Sequence, residues 1–179
     1  MKTTQILIAG FGGQGVLFSG KFLANKGLIE DLQVSWLPSY GPEMRGGTAN
    51  CNVILSDNPI GSPIITQPDV LIAMNLPSLQ KYVDTVAPGG QIYVDSSLVS
   101  QKVERTDVQV FYVPATRMAK EQEMPTLANM IIIGHLLQNH PELSFEGTET
   151  VVKKLVPPKK AALLDLNMKA LLMGKEYCP

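Results

Sequence analysis

The sequence predicts an α/β protein: a three-layer α/β/α domain with a mainly parallel sheet and a helical C-terminal portion. Three observations predict it. The chain opens on a continuous apolar run, Ile6-Leu7-Ile8-Ala9, which ends in glycines and passes into a helical pattern. That is the order of a strand covered on both faces followed by its crossover helix. Strand and helix patterns then alternate as far as Val113, as βαβ units do. From Leu127 onward the pattern is helical only. The 179 residues suit one domain of roughly 100 to 200 residues, so residues 1–179 are read as that single domain.

After Gly10-Phe11-Gly12-Gly13-Gln14-Gly15, the apolar positions Val16, Leu17, Phe22, Leu23 and Leu28 fit a helix stopped at Gly27. Gln33 to Leu37 reads as a second strand cut off by Pro38, and a right-handed crossover from Ile6 to Trp36 is the rule for such a unit. Thr48 to Ser56 alternates as a strand and ends at the Asp57-Asn58-Pro59 turn. Asp69 to Met74 is a short buried strand, and Leu76 to Val86 a helix with Pro77 in its first turn. Gln91 to Val94 and Val108 to Val113 bring the strands to five or six, ended by Asp95-Ser96-Ser97 and by Pro114. Leu127 to Leu137 is apolar on nearly every face, which predicts a buried helix in which Gly134 lets a neighbour approach. Thr148 to Val156 and Lys159 to Gly174 are amphipathic helices separated by Pro157-Pro158, a pair no helix interior tolerates.

The bulk charge excludes one class of partner. A formal net charge of −1, from 15 basic and 16 acidic residues without a basic block, leaves no electrostatic footprint for nucleic acid. Charged residues make up only 17% of the chain, which points to surface hidden against a partner. Cys51 and Cys178 stand far apart, with neither a CxxC nor a histidine pair. That excludes an iron–sulfur cluster held by this chain alone, since a cluster normally needs about four thiolates. No run reaches the ~18 apolar residues of a membrane span. The N-terminus lacks the apolar stretch of a signal peptide, so the predicted location is cytoplasmic and thiol-reducing.

Gly10, Gly12 and Gly15 satisfy GxGxxG in the context that fingerprint requires, directly after a strand and opening a helix. The first backbone N–H groups of a helix are unpaired and sit at the positive end of its dipole, so the turn favours an anion. A dinucleotide site also wants an acid at the end of the second strand to hold the ribose. Here that strand ends Leu37-Pro38-Ser39-Tyr40, while Glu30 and Asp31 precede it. Three readings stay open: a dinucleotide site, a purely structural tight turn, or a turn that contacts a phosphate or another protein. The Gln14 amide is placed either to reach outward from the turn or to be solvated at the helix start.

Ser39-Tyr40-Gly41-Pro42-Glu43-Met44-Arg45-Gly46-Gly47-Thr48 sets an acid, a base, an aromatic ring and a thioether in a loop rich in glycine. Loops of this kind carry function more often than cores do. Arg45 suits a bidentate grip on a carboxylate or phosphate, oriented by Glu43, with Gly46-Gly47 admitting another backbone. The plain alternative is an exposed acid and base flanking a turn.

The remaining candidates have stronger structural readings. His135, inside an apolar helix, fits a hydrogen-bonded core or interface histidine, and His140 a helix-end residue. Cys51, between Asn50 and Asn52, reads as a small buried hydrophobe without a base beside it. Asp95-Ser96-Ser97 ends a strand where α/β proteins bind ligands, and equally reads as a cap or turn. Met118, Met124 and Met130 fit adaptable apolar packing, including packing against a sister subunit. Lys153, Lys154, Lys159 and Lys160 read as solvated.

Two separated segments carry a specific likeness. Gly10-Phe-Gly-Gly-Gln-Gly-Val16 followed by Trp36-Leu-Pro-Ser-Tyr-Gly-Pro-Glu-Met-Arg-Gly-Gly-Thr-Ala-Asn50 resembles the gamma subunit of the 2-oxoacid:ferredoxin oxidoreductases. The likeness continues through Gln67 to Asn75 and the Asn129-Met130 helix start, covering Ile6 to Leu137. The loop version is most similar to the 2-oxoglutarate and branched-chain (2-ketoisovalerate) branch, and the beta subunit of the related indolepyruvate enzyme shares the domain. One departure is Asn52-Val53-Ile54-Leu55-Ser56, where many relatives carry an arginine.

The resemblance implies a complex that oxidatively decarboxylates a 2-oxoacid, passes the acyl group to coenzyme A and reduces ferredoxin. It implies thiamine diphosphate with Mg on alpha and beta partners and 4Fe-4S clusters on a ferredoxin-like delta partner, with no cofactor held by this chain alone. The isolated chain is then inactive and holds neither a catalytic residue nor a metal ligand. Its contacts with substrate, coenzyme A or a partner subunit fall to Gly10, Gly12, Gly13, Gln14, Gly15, Ser39, Tyr40, Gly41, Glu43, Met44, Arg45, Gly46, Gly47, Thr48 and Asn75. The rival from the residues alone is a free-standing nucleotide-binding oxidoreductase using Gly10 to Gly15 for a pyrophosphate.

Overall fold

The structure is a computed structural model that describes residues 3–39 and 48–178. Six strands form one sheet in the order β2-β3-β1-β4-β5-β6: β1 (Thr4–Phe11), β2 (Gln33–Ser39), β3 (Thr48–Ser56), β4 (Val70–Ala73), β5 (Gln91–Asp95) and β6 (Gln109–Val113). β1, β4, β5 and β6 pair in parallel, whereas β3 runs antiparallel to both β1 and β2. All strands but β3 therefore point the same way, and the mainly parallel sheet holds. β2 does run parallel to β1, yet β3 lies between them.

Pro38 does not end its strand. It sits inside β2, opposite Cys51, and β2 tolerates it because an edge strand has one side free of ladder bonds. The helices are α1 (Val16–Ile29), α2 (Leu76–Tyr82), α3 (Ala115–Glu121), α4 (Ala128–Asn139), α5 (Thr148–Leu155) and α6 (Ala161–Glu176). α2 gives way to a 3-10 turn at Val83–Thr85, before the predicted Val86. α3 carries no signal in the periodicity: it has 7 residues, two turns at most, and it begins directly after Pro114.

The sheet's two faces are unequal. Ile6, Ile8, Cys51, Val53, Leu55, Val70, Ile72 and Tyr93 turn to a large core filled from α1, α3, α4, α5 and α6. Their alternating neighbours Leu7, Leu71, Ala73, Ile92 and Val94 face a smaller core that includes Leu79 of α2. Burying a side chain such as Phe22 or Leu23, each 0% exposed, contributes about 1.5–3 kcal/mol, and this is what holds α1 on its strands. Met124 and Met130 are buried in this chain's own core. Lys153, Lys154, Lys159 and Lys160 are exposed.

α4 and α6 pack backbone to backbone. A Cβ on Gly134 would collide with the Leu171 carbonyl, and one on Gly174 with the Ile131 carbonyl, so the close approach predicted at Gly134 is reciprocal. His135 lies beside this crossing, buried, with its Nδ1–H donating to Gly174 O at 3.1 Å. Tyr93, Phe111 and Tyr177 meet its ring edge-on. It is a core histidine, and burial lowers its pKa below the usual imidazole value.

Candidate functional site

The carboxyl ends of the parallel strands set the site, because every loop that follows one emerges there. After β1 the chain makes its glycine turn. Gly13 and Gly15 take left-handed angles, φ 95° and 77°, and Gly15 is the N-cap of α1, so both positions require glycine for backbone reasons. No side chain among the described residues caps α1. Its first internal bond is Ser19 N–H to Gly15 O at 2.9 Å, so the amides of Val16, Leu17 and Phe18 keep their donors free of intrahelical partners.

Gln14 does not reach outward: half-buried, it folds back and closes the turn. Its Oε1 accepts the Phe11 amide at 2.6 Å, and its Nε2 donates to the Met74 carbonyl at 2.9 Å. The β1–β4 ladder runs up to Met74 N–H donating to Ala9 O at 2.8 Å. Beyond that the strands diverge, and the Gln14 amide stands in for the next peptide group. Asn75 adds a donor from its Nδ2 to Gln14 Oε1 at 3.4 Å, while its own Oδ1 accepts Ser78 N–H at 2.8 Å and caps α2.

This has a topological consequence. α1 covers one face of the sheet and α2 the other, so the winding reverses between β1 and β4, the crevice where a doubly wound sheet takes its nucleotide. Gln14 occupies that crevice. With no acid at the end of β2, the dinucleotide reading of Gly10 to Gly15 loses both its ribose anchor and its groove.

The turn opens to the opposite side. Phe11, Gly12, Gly13, Gly15, Val16, Leu17 and Phe18 line an open cleft of about 230 Å³ together with Ala49 of β3. The second glycine-rich loop starts and finishes at this same edge: Ser39 pairs with Asn50, and Thr48 pairs with Phe11. Tyr40, Gly41, Glu43, Met44, Arg45, Gly46 and Gly47 lie outside the described residues. The sheet thus brings the ends of the two loops together, although more than twenty residues separate Gly15 from Ser39 in sequence.

One residue of the turn's support was invisible as such in the sequence. Asn129 of α4, 4% exposed, donates to Gly15 O at 3.2 Å and to Ser19 Oγ at 3.0 Å. A Cβ on Gly15 would lie 2.6 Å from Asn129 Cγ, a second reason for glycine there. Only the likeness at Asn129-Met130 marked it.

The other candidates resolve as structural. Asp95, fully buried, accepts Ser97 N–H at 3.1 Å and the Thr116 hydroxyl at 2.5 Å, so it ties the end of β5 to α3. Cys51 is buried between α1 and β2, where Gly20 leaves room for its Sγ. Burial pushes its thiol up to about 12 against a smaller opposing hydrogen bond from Trp36, the opposite of a nucleophile's environment. No group of three or more His, Cys, Asp or Glu among the described residues is placed to hold a metal ion. No helix among them is long and apolar enough to cross a membrane.

Comparison with known proteins agrees with this geometry. Residues 5–177 match the family described as pyruvate ferredoxin/flavodoxin oxidoreductase. The chain is 38% identical over 97% of its length to the ketoisovalerate oxidoreductase subunit VorA of Methanothermobacter thermautotrophicus, of which it spans 36%. It is 37% identical to the 2-oxoglutarate synthase subunit KorC of Methanothermobacter marburgensis, with 96% of this chain and 95% of that one covered. The crystal structure of a keto/oxoacid ferredoxin oxidoreductase gamma subunit from Geobacter sulfurreducens superposes with a TM-score of 0.85 at 32% identity, covering 98% of this chain and 96% of that one. These matches establish that the chain belongs to the pyruvate ferredoxin/flavodoxin oxidoreductase family.

Proposed function

We propose that this chain, acting as a single domain in the cytoplasm, is the gamma subunit of a 2-oxoacid:ferredoxin oxidoreductase whose substrate is 2-oxoglutarate or 2-ketoisovalerate. The complex oxidatively decarboxylates the 2-oxoacid, transfers the acyl group to coenzyme A and reduces ferredoxin. Thiamine diphosphate with Mg belongs to alpha and beta partners, and the 4Fe-4S clusters to a ferredoxin-like delta partner. The donor set here does not fit such a cluster: Cys51 is buried and Cys178 lies alone in the C-terminal segment.

The observation that carries the role of this chain is the start of α1, uncapped among the described residues, which opens into the cleft beside β3 and away from the β1–β4 crevice that Gln14 fills. Free amides at a helix start favour an anion. We assign them to a phosphate of coenzyme A, with Gly10, Gly12, Gly13 and Gly15 letting the ligand approach the backbone. Ser39, Thr48 and the loop between them, with Arg45 as its charged grip, complete the contact with substrate or partner. Gln14 and Asn75 serve the same contact from behind the turn.

Co-purification is expected to return thiamine-binding and ferredoxin-like subunits; a stable monomer active by itself would refute the subunit role. In the assembled enzyme, Gly13→Ala and Gly13→Asp both place a Cβ at φ 95°, which Asp tolerates the better of the two, and they differ in charge. Gly13→Asp is expected to raise the KM for coenzyme A about tenfold beyond Gly13→Ala, since a charged contact of this kind is worth about 1.5 kcal/mol. Arg45→Ala with assembly and turnover both untouched would remove the second loop from the site.

A further inference from the structure

We propose that Gln14 is a positioning residue for substrate binding: by bridging Phe11 N–H and Met74 O it holds the glycine turn with its free amides toward β3. This rests on the reading of the turn as the coenzyme A contact. The geometry goes further than a tight turn requires. A hydrogen bond from Gln14 N–H to Phe11 O at 3.2 Å already closes the turn through the backbone, as glycine-rich turns ordinarily do. The side chain then adds a second closure on Phe11 N–H and a tie to another strand at Met74 O.

The environment leaves that side chain little freedom. A Cβ on Gly10 would lie 2.7 Å from Gln14 Oε1 and 2.8 Å from Met74 Cβ, so Gly10 is the space in which the Gln14 amide sits. Asn75, 2% exposed and fixed by its cap on α2, braces the same oxygen. From the far side Asn129 grips Gly15 O. The turn is therefore tied to β4, α2 and α4 before any ligand arrives, and a ligand that meets ordered amides loses less entropy on binding.

The same amide acts on specificity. It fills the crevice at which the winding of the sheet reverses, so a ligand on the turn must leave toward β3 and the ends of the second loop, where coenzyme A and a partner surface would meet. A substitution that empties the crevice while leaving the glycines in place would loosen the amides without removing them.

The test uses the enzyme assembled with its partner subunits. Gln14→Met keeps the volume and loses the three side-chain hydrogen bonds to Phe11, Met74 and Asn75. The KM for coenzyme A is expected to rise about tenfold, while kcat and the KM for the 2-oxoacid stay within about twofold, because the turn orders one ligand only. If Gln14→Met fails to assemble, Gln14→Asn, one methylene too short to span Phe11 N–H and Met74 O, is measured for the same split. A lower melting temperature with an unchanged KM for coenzyme A would make Gln14 a structural plug and overturn the proposal, as would parallel losses in every constant. Gly13→Asp measured beside it separates the two failures. If Gly13→Asp matches Gly13→Ala, the coenzyme A reading itself falls; if it raises KM and Gln14→Met does not, only the role of Gln14 falls.

Discussion

Lys26 is 1% exposed on α1, a burial that few lysines in folded proteins share. It pairs with Glu30 one helical turn later, and Ser144 from the segment before α5 lies 3.4 Å from its Nζ and 3.0 Å from Glu30 Oε1. The pair ties the end of α1 to the distant C-terminal half. Removing only the acid leaves the ammonium buried with a weaker acceptor, so Glu30→Gln is expected to destabilise the protein by about 1–3 kcal/mol. Lys26→Met, which removes the charge and keeps the stem, is expected to stay within about 1 kcal/mol of wild type. Urea unfolding of both variants checks the order; equal losses would show that the ammonium is hydrated after all.

Among elements, the α4–α6 contact is the least forgiving. Where two helices meet at glycines, a methyl has only carbonyl oxygen to displace, and backbone cannot rotate away as a side chain does. Gly134→Ala and Gly174→Ala are each expected to cost about 1–3 kcal/mol or more through forced separation of the helices. Neither glycine touches the glycine turn, which α4 reaches through Asn129 in its first turn, so the turn is expected to stay as it is. Thermal melts with and without substrate would register this as a lower midpoint with an unchanged ligand-induced shift. Gly13→Ala is the contrasting case, because among the described residues no atom beyond its chain neighbours lies within 4 Å of its missing Cβ, and its penalty there comes from φ 95°.

For the molecule as a whole, the two histidines set an acid limit on stability. Burial lowers the pKa of both His135 and His140 from 6.5, outweighing opposing effects from the Gly174 carbonyl on the first and from Glu142 and Asp69 on the second. Below pH about 6.5 the unfolded chain takes up protons that the folded chain refuses, so stability falls as the pH falls. The slope is at most about 1.4 kcal/mol per pH unit for each histidine, and it ends once the pH passes below the folded pKa values. Denaturation midpoints between pH 7.5 and 5 in His135→Gln should show roughly one histidine's share of that slope removed. An unchanged slope would mean that the ring already protonates in place.

Much of this architecture is written locally. The apolar runs Ile6-Leu7-Ile8-Ala9 and Val70-Leu71-Ile72-Ala73 are strands in any context that covers both faces, and Gly13 and Gly15 sit where the turn needs left-handed backbone. Hence the fold class, most elements and the first glycine-rich turn were legible. What sequence order could not show was adjacency. β3 slips between β1 and β2 and brings Thr48 beside Phe11, a pairing decided by which strands bury their alternate faces together. The direction of Gln14 was equally hidden, because a glutamine at a helix start turns inward only if a carbonyl such as Met74 O waits sixty residues away. Local sequence specifies the strand, the glycine turn and the helix that begins at Val16. Tertiary packing selects the open side of the turn, because the hydrogen-bonding needs of two diverging strands, met by Gln14, close the other.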